Sequence, residues 1–149
     1  MKIAIASDHA GFRLKEILKP ALQGLDIELD DLGCFDESSV DYPDYAAKVA
    51  GGVAQGQYER GILICGTGLG MAISANKILG VRAVTVSDEF SARMSRAHNN
   101  ANVLALGERV VGPGLAADII KAWVETEFEG GRHQRRVDKM TALESQGRA

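Results

Sequence analysis

A chain of 149 residues has room for one domain with a real core and too little for two ordinary ones. Its 46% hydrophobic and 25% charged residues are those of an average globular domain, and a net charge of −3 argues against a nucleic-acid module, whose basic face usually dominates. No apolar run approaches the ~18–20 residues that span a bilayer, and the N-terminal run Ile3–Ala6 is shorter than the ~7–15 residues of a secretory h-region, so one cytoplasmic domain over residues 1–149 without a membrane partner is expected.

The chain reads as alternating strands and helices. Lys2–Ser7 is a first strand. Phe12–Leu22 follows as an amphipathic helix, with Leu14, Leu18 and Ala21 on one face, Arg13, Glu16 and Lys19 turned away, and Pro20 expected to end or kink it. Asp26–Leu32 is a partly polar second strand, suited to a sheet edge. A helix over about Pro43–Gln55 opens with a proline fit for its first turn.

The third strand is Gly61–Cys65, with a helix after Gly70. Arg82–Val86 is the fourth, followed by a helix from Ser87, read as its N-cap, to about His98. Asn102–Leu106 is the fifth, and Leu115, Ile119 and Trp123 mark one face of the next helix. After Gly130-Gly131 comes a final helical stretch, about Arg132–Ser145. Strands separated by helices imply right-handed βαβ units and a parallel sheet covered on both faces, with ligands beyond the carboxyl ends of the strands.

Polar residues follow most of those ends: Ser7-Asp8-His9, Cys65-Gly66-Thr67, Ser87-Asp88 and Gly107-Glu108-Arg109. The richest is ILICGTGLG (Ile62–Gly70), a buried-type strand ending in a cysteine and three glycines. Glycines let the backbone turn tightly and approach a ligand. The helix that follows would offer N–H groups to an anion and favour a thiolate at Cys65. Cys34, by contrast, reads as an ordinary loop or core cysteine, and the two thiols form neither a disulfide framework nor a zinc-ligand pattern, so no metal is expected.

Other candidates each carry a plainer reading. Asp8 could be a helix cap and His9 a solvated histidine; Thr67 could be only a loop hydroxyl. His98, at a helix end, is placed either for the C-terminal dipole or as an acid catalyst, which the same dipole favours. Arg132 and Arg136 share one face of the last helix, either as solvated charge or as a phosphate grip. A dinucleotide site is the minority alternative. The glycines run GxGxG after the third strand instead of GxGxxG after the first, although Asp88 lies near the spacing of a ribose-binding acid.

Several stretches taken together resemble the ribose-5-phosphate isomerase B type of sugar-phosphate isomerase, a family that includes the galactose-6-phosphate isomerase subunits. They are SDHAG (7–11), DYPDYA (41–46), ILICGTGLG (62–70), SANK (74–77), HNNANVLALGERVVG (98–112) and EGGRHQRRV (129–137). The resemblance implies a three-layer α/β/α sandwich with a five-stranded parallel Rossmann-like sheet. It also implies cofactor-free interconversion of an aldose phosphate and its ketose phosphate through a cis-enediol.

On that reading Cys65 is the base that moves a proton between C2 and C1. Thr67 and the loop N–H groups of Gly66, Gly68, Leu69 and Gly70 hold the enediolate oxygens, and His98 helps open the sugar ring. Asp8, His9, Tyr42 and Asn99 line the sugar site, and Arg109, Arg132 and Arg136 complete it at or near the phosphate. Some relatives lack the cysteine and carry a glutamate after the last loop glycine; here that position is Met71, which fits the thiolate branch.

The resemblance further implies a homodimer, or a dimer of dimers, whose sites are shared between subunits, with the tail from about 129 to 149 reaching toward the partner. Ribose 5-phosphate and ribulose 5-phosphate are the expected pair. Allose 6-phosphate, galactose 6-phosphate and a four-carbon sugar phosphate are the alternatives, and a non-catalytic nucleotide- or NAD-binding module is the alternative of another class.

Overall fold

Every residue of strand β3, Arg60–Cys65, is buried, as required of a strand flanked by neighbours on both edges and covered on both faces. In the computed structural model, which describes residues 1–147, it is the middle of one five-stranded sheet. The other strands are β1 (Lys2–Ser7), β2 (Glu28–Asp31), β4 (Ala83–Thr85) and β5 (Val103–Gly107), all parallel, in the order β2-β1-β3-β5-β4. The polar β2 lies at an edge, as its sequence suggests. The last two residues of the expected C-terminal tail lie outside the described residues.

Alternation along the strands sorts the core into two layers. Ile3, Ile5, Ile62, Ile64, Leu104 and Leu106 pack with Leu14 and Leu18 of helix α1 (Phe12–Ala21) and with Ile119, Ile120 and Trp123 of helix α5 (Pro113–Glu125). The opposite face is built of smaller residues, Ala4, Ala6, Leu63 and Ala105. It meets Ala46, Val49 and Ala50 of helix α2 (Tyr42–Ala54) and Met71 of helix α3 (Leu69–Ala75). Helix α4 (Glu89–Ala97) adds Ala92 to the first layer, and α6 (Arg132–Gln146) buries only His133 and Val137. No helix among the described residues is long and apolar enough to cross a membrane.

Three local expectations change, and one lysine is buried that no sequence pattern announced. Asp88, rather than Ser87, caps α4 by accepting from Ser91 N–H at 2.7 Å; both residue types cap well, and only the backbone path decides between them. Leu115 is exposed, and Ala116, Ile119, Ile120 and Trp123 carry the inner face of α5. Ala21 is exposed as well, and Leu22 takes its place in the core. Lys15 is fully buried, its ammonium bonded to both carboxylate oxygens of Asp31 and to the Cys34 carbonyl, each at 2.7 Å. A paired, fully hydrogen-bonded charge is the form in which a lysine is tolerated inside.

Candidate active site

The chain leaves β1 toward β2 but leaves β3 toward β5 and β4, so the crossovers diverge between β1 and β3. In parallel sheets that divergence opens a crevice at the carboxyl end of the strands. An open cleft of about 400 Å³ lies there, lined by Asp8, His9, Ala10, Tyr42, Cys65, Gly66, Thr67, Gly70 and Arg109. Sequence reading brings all of these together except Ala10, which carries no polar side chain to draw notice.

Cys65 ends β3 and is 5% exposed. Gly68 adopts φ +80°, a left-handed conformation that only glycine takes without strain, and this turns its N–H onto the sulfur at 3.0 Å. The donor is a single loop amide. Helix α3 has only 7 residues, so the local hydrogen bond, more than a long helix dipole, is what meets a negative charge on Cys65. Thr85 of β4 steadies the turn by donating its hydroxyl to the Gly68 carbonyl at 3.0 Å. The exposed Thr67 accepts from Leu69 N–H at 3.3 Å, leaving its own O–H free to donate into the cleft.

The neighbouring loop is fixed against this one through Gly107. A Cβ there would stand 2.7 Å from the Thr67 backbone, so the close approach requires glycine. Glu108 N–H then donates to the Cys65 carbonyl at 2.9 Å and Arg109 N–H to the Gly66 carbonyl at 3.0 Å. This lays the Arg109 guanidinium along Gly66. The Glu108 carboxylate reaches over to accept Leu14 N–H at 3.0 Å, in a first turn of α1 that has no acidic residue of its own.

On the β1 side, Asp8 Oδ1 accepts from Ala10 and Gly11 N–H at 2.9 and 3.1 Å. The plainer reading of Asp8 as a local cap therefore describes one of its oxygens. His9 Nδ1 lies 3.2 Å from both the N and the O of Val40, which ties the ring to the loop before α2. Tyr42 opens that helix, its ring close against Gly70. Asp88 is occupied as a helix cap, which accounts for its spacing from the glycine loop without a ribose. The Ser91 backbone N–H holds its carboxyl below the usual range.

The remaining candidates lie elsewhere. His98 ends α4, which runs back against the strands, so it sits at the amino edge of the sheet, a strand length of roughly 16 Å from the cleft. There its ring stacks on buried His133, with centroids 4.2 Å apart and planes 6° from parallel. Glu129 lies 3.3 Å from His133 Nε2 and 4.0 Å from His98 Nε2. Burial first, then the charges of His98, Arg132 and Arg136, lower the His133 pKa against the pull of Glu129. Parallel rings do not aim their in-plane lone pairs at one ion, so this cluster as it stands is not a metal site. Asn99 faces a separate groove of about 350 Å³ beside Arg82, Met140 and Thr141, and Arg132 and Arg136 are exposed on α6.

A parallel α/β sheet with a cysteine and a glycine turn at its switch point, and an arginine across the cleft, is the frame of a small-molecule enzyme. The chain belongs to the ribose/galactose isomerase family, whose model matches residues 3–140. It is 50% identical over 143 residues to ribose-5-phosphate isomerase B of Escherichia coli, covering 96% of each chain. It is 43% identical over 148 residues to D-erythrulose-4-phosphate isomerase of Pectobacterium atrosepticum, covering 98% of this chain and 97% of that one. Among solved structures, ribose-5-phosphate isomerase B of Clostridium thermocellum superposes with a TM-score of 0.95 at 51% identity, over 98% of this chain and 99% of that one.

Proposed function

We propose that this protein interconverts ribose 5-phosphate and ribulose 5-phosphate through a cis-enediolate, with Cys65 as the base. The observation that carries the reading is the Cys65 sulfur at the floor of the cleft, held under the Gly68 N–H. A thiolate there is placed to take the C2 proton and return it to C1. Thr67 O–H and the loop amides donate to the oxygens on which charge develops, where preorganised donors contribute most. Arg109 and His9 lie across the same cleft, suited to an anionic substrate.

The chain further acts as a homodimer in which His98, Asn99, Arg132 and Arg136 of one copy complete the cleft of the other. Their position at the opposite sheet edge supports this, because one copy alone leaves its own cleft without them. The reaction takes place in the cytoplasm, where Cys65 remains a free thiol. A four-carbon sugar phosphate is the second reading, favoured by the similarity to the D-erythrulose-4-phosphate isomerase.

An assay by NMR over a panel of four- to six-carbon aldose phosphates separates the two. The highest kcat/KM on ribose 5-phosphate is expected; a highest value on the four-carbon substrate overturns the pentose assignment. Mixing Cys65→Ala with His98→Ala chains tests the shared site. Activity regained on subunit exchange is expected, and no recovery in a mixed dimer rejects sharing.

A further inference from the structure

His98 is not a free-standing side chain. Its ring lies flat on His133, 4.2 Å between centroids, and His133 is 5% exposed, so the platform beneath His98 is fixed. Glu129 closes the third side. Its backbone N–H donates to the Ala97 carbonyl at 3.1 Å, pinning the segment before α6 onto the last turn of α4. Its carboxylate spans the two Nε2 atoms, nearer His133 and within reach of His98. The His133 N–H donates to the Gly130 carbonyl at 3.0 Å, so backbone geometry sets this arrangement as well.

We infer that Glu129 is a positioning residue for His98: with the His133 ring as a platform, its carboxylate orients the His98 imidazole and stabilises its protonated form. This rests on the reading of His98 as the ring-opening acid. The chemistry follows from the division of the cluster. Two stacked imidazoles 4.2 Å apart do not readily carry protons together, since each positive charge disfavours the other. His133 is the buried ring, and burial lowers its pKa, so it takes up a proton less readily, with the Glu129 carboxylate 3.3 Å from its Nε2. The carboxylate then offsets a charge on the more exposed His98, which is the ring free to meet a substrate. At the stacked His133 ring the charges of Arg132 and Arg136 act against that of Glu129. Glu129 is the one acid within 4.0 Å of His98 among the described residues.

The decisive experiment is NMR titration of the His98 ring in the full-length protein and in Glu129→Gln, an isosteric change at an exposed side chain. The His98 midpoint is expected to move down by about 0.5–1 pH unit in the variant, the effect of one charge at about 4 Å near solvent. Salt should narrow the difference between the wild-type and variant midpoints, because it screens the Glu129 charge. In kinetics, kcat should fall about 3–10-fold near neutral pH with KM little changed, and Glu129→Asp should restore part of both effects. Superimposable His98 titrations in wild type and Glu129→Gln overturn the inference. If the wild type isomerises no sugar phosphate, the reading of the function fails, and the titration still decides whether Glu129 holds the proton on His98.

Discussion

The backbone N–H of Gly68 donates to the sulfur of Cys65 across 3.0 Å, and the hydroxyl of Thr85 donates in turn to the Gly68 carbonyl. One peptide turn therefore joins the end of β3 to the edge strand β4 and aims a donor where a thiolate charge would sit. The turn depends on a left-handed backbone at a single residue, which makes it open to a sharp test.

Gly68→Ala should lower both activity and stability. A Cβ at this position would stand 3.0 Å from the Leu106 carbonyl carbon and from Thr85 Cγ2, at φ +80°. The left-handed conformation alone costs an L-residue about 1–2 kcal/mol. Urea unfolding should show a loss of at least that size, and kcat should fall more than KM rises because the donor to Cys65 moves. Unchanged kcat would detach this amide from the chemistry.

Cys65→Ala should abolish turnover by at least the ~10²–10⁴-fold that a positioned general base contributes. Binding of ribose 5-phosphate, followed by calorimetry, should persist, since the cleft is otherwise intact. Turnover near that of the wild type would remove Cys65 from the role of base.

Arg136→Ala should raise KM with a much smaller effect on kcat. A phosphate remote from the reacting carbons acts mainly as a binding handle. Steady-state kinetics on ribose 5-phosphate checks this, and an unchanged KM would take Arg136 out of the site.

Asp31→Asn should destabilise the fold strongly at pH 7. Lys15, with 0% of its side chain exposed, would lose the carboxylate it bonds at 2.7 Å, and breaking a buried pair from one side costs about 3–5 kcal/mol. Burial pushes the Asp31 carboxyl up, but Lys15, Lys19 and the Gly33 N–H outweigh it and hold the group below its usual value. A depressed carboxylate contributes stability that is present above its unfolded pKa of about 3.9 and lost as pH falls through the lower folded value. Urea midpoints for the two proteins should therefore converge below about pH 4. A gap that stays constant with pH would mean that the charge on Asp31 is not what holds Lys15.

Much of this molecule is written locally. The run Ile62–Cys65 reads as a buried strand because continuous apolar residues of that length have few alternatives, and the glycines after it announce a turn that side chains would block. Helix caps are less legible: Ser87 and Asp88 are both good caps, and the choice rests on a backbone path that neither residue specifies. The burial of Lys15 is harder still to read, because its counter-charge, Asp31, arrives from another element, and the spacing along the chain carries no sign of it.

The sequence alone determined the alternating strands and helices, the edge position of the polar β2, and the cysteine joined to a glycine turn, because each follows from period, polarity or the absence of a Cβ. Tertiary structure decided how the remaining candidates divide. Helix α4 returns antiparallel to the strands, so His98 lies a strand length from Cys65 and beside Glu129 and His133 instead. His98 stands just before β5 and Gly107 at its end, close along the chain, yet the rise of the extended strand puts them on opposite edges of the sheet.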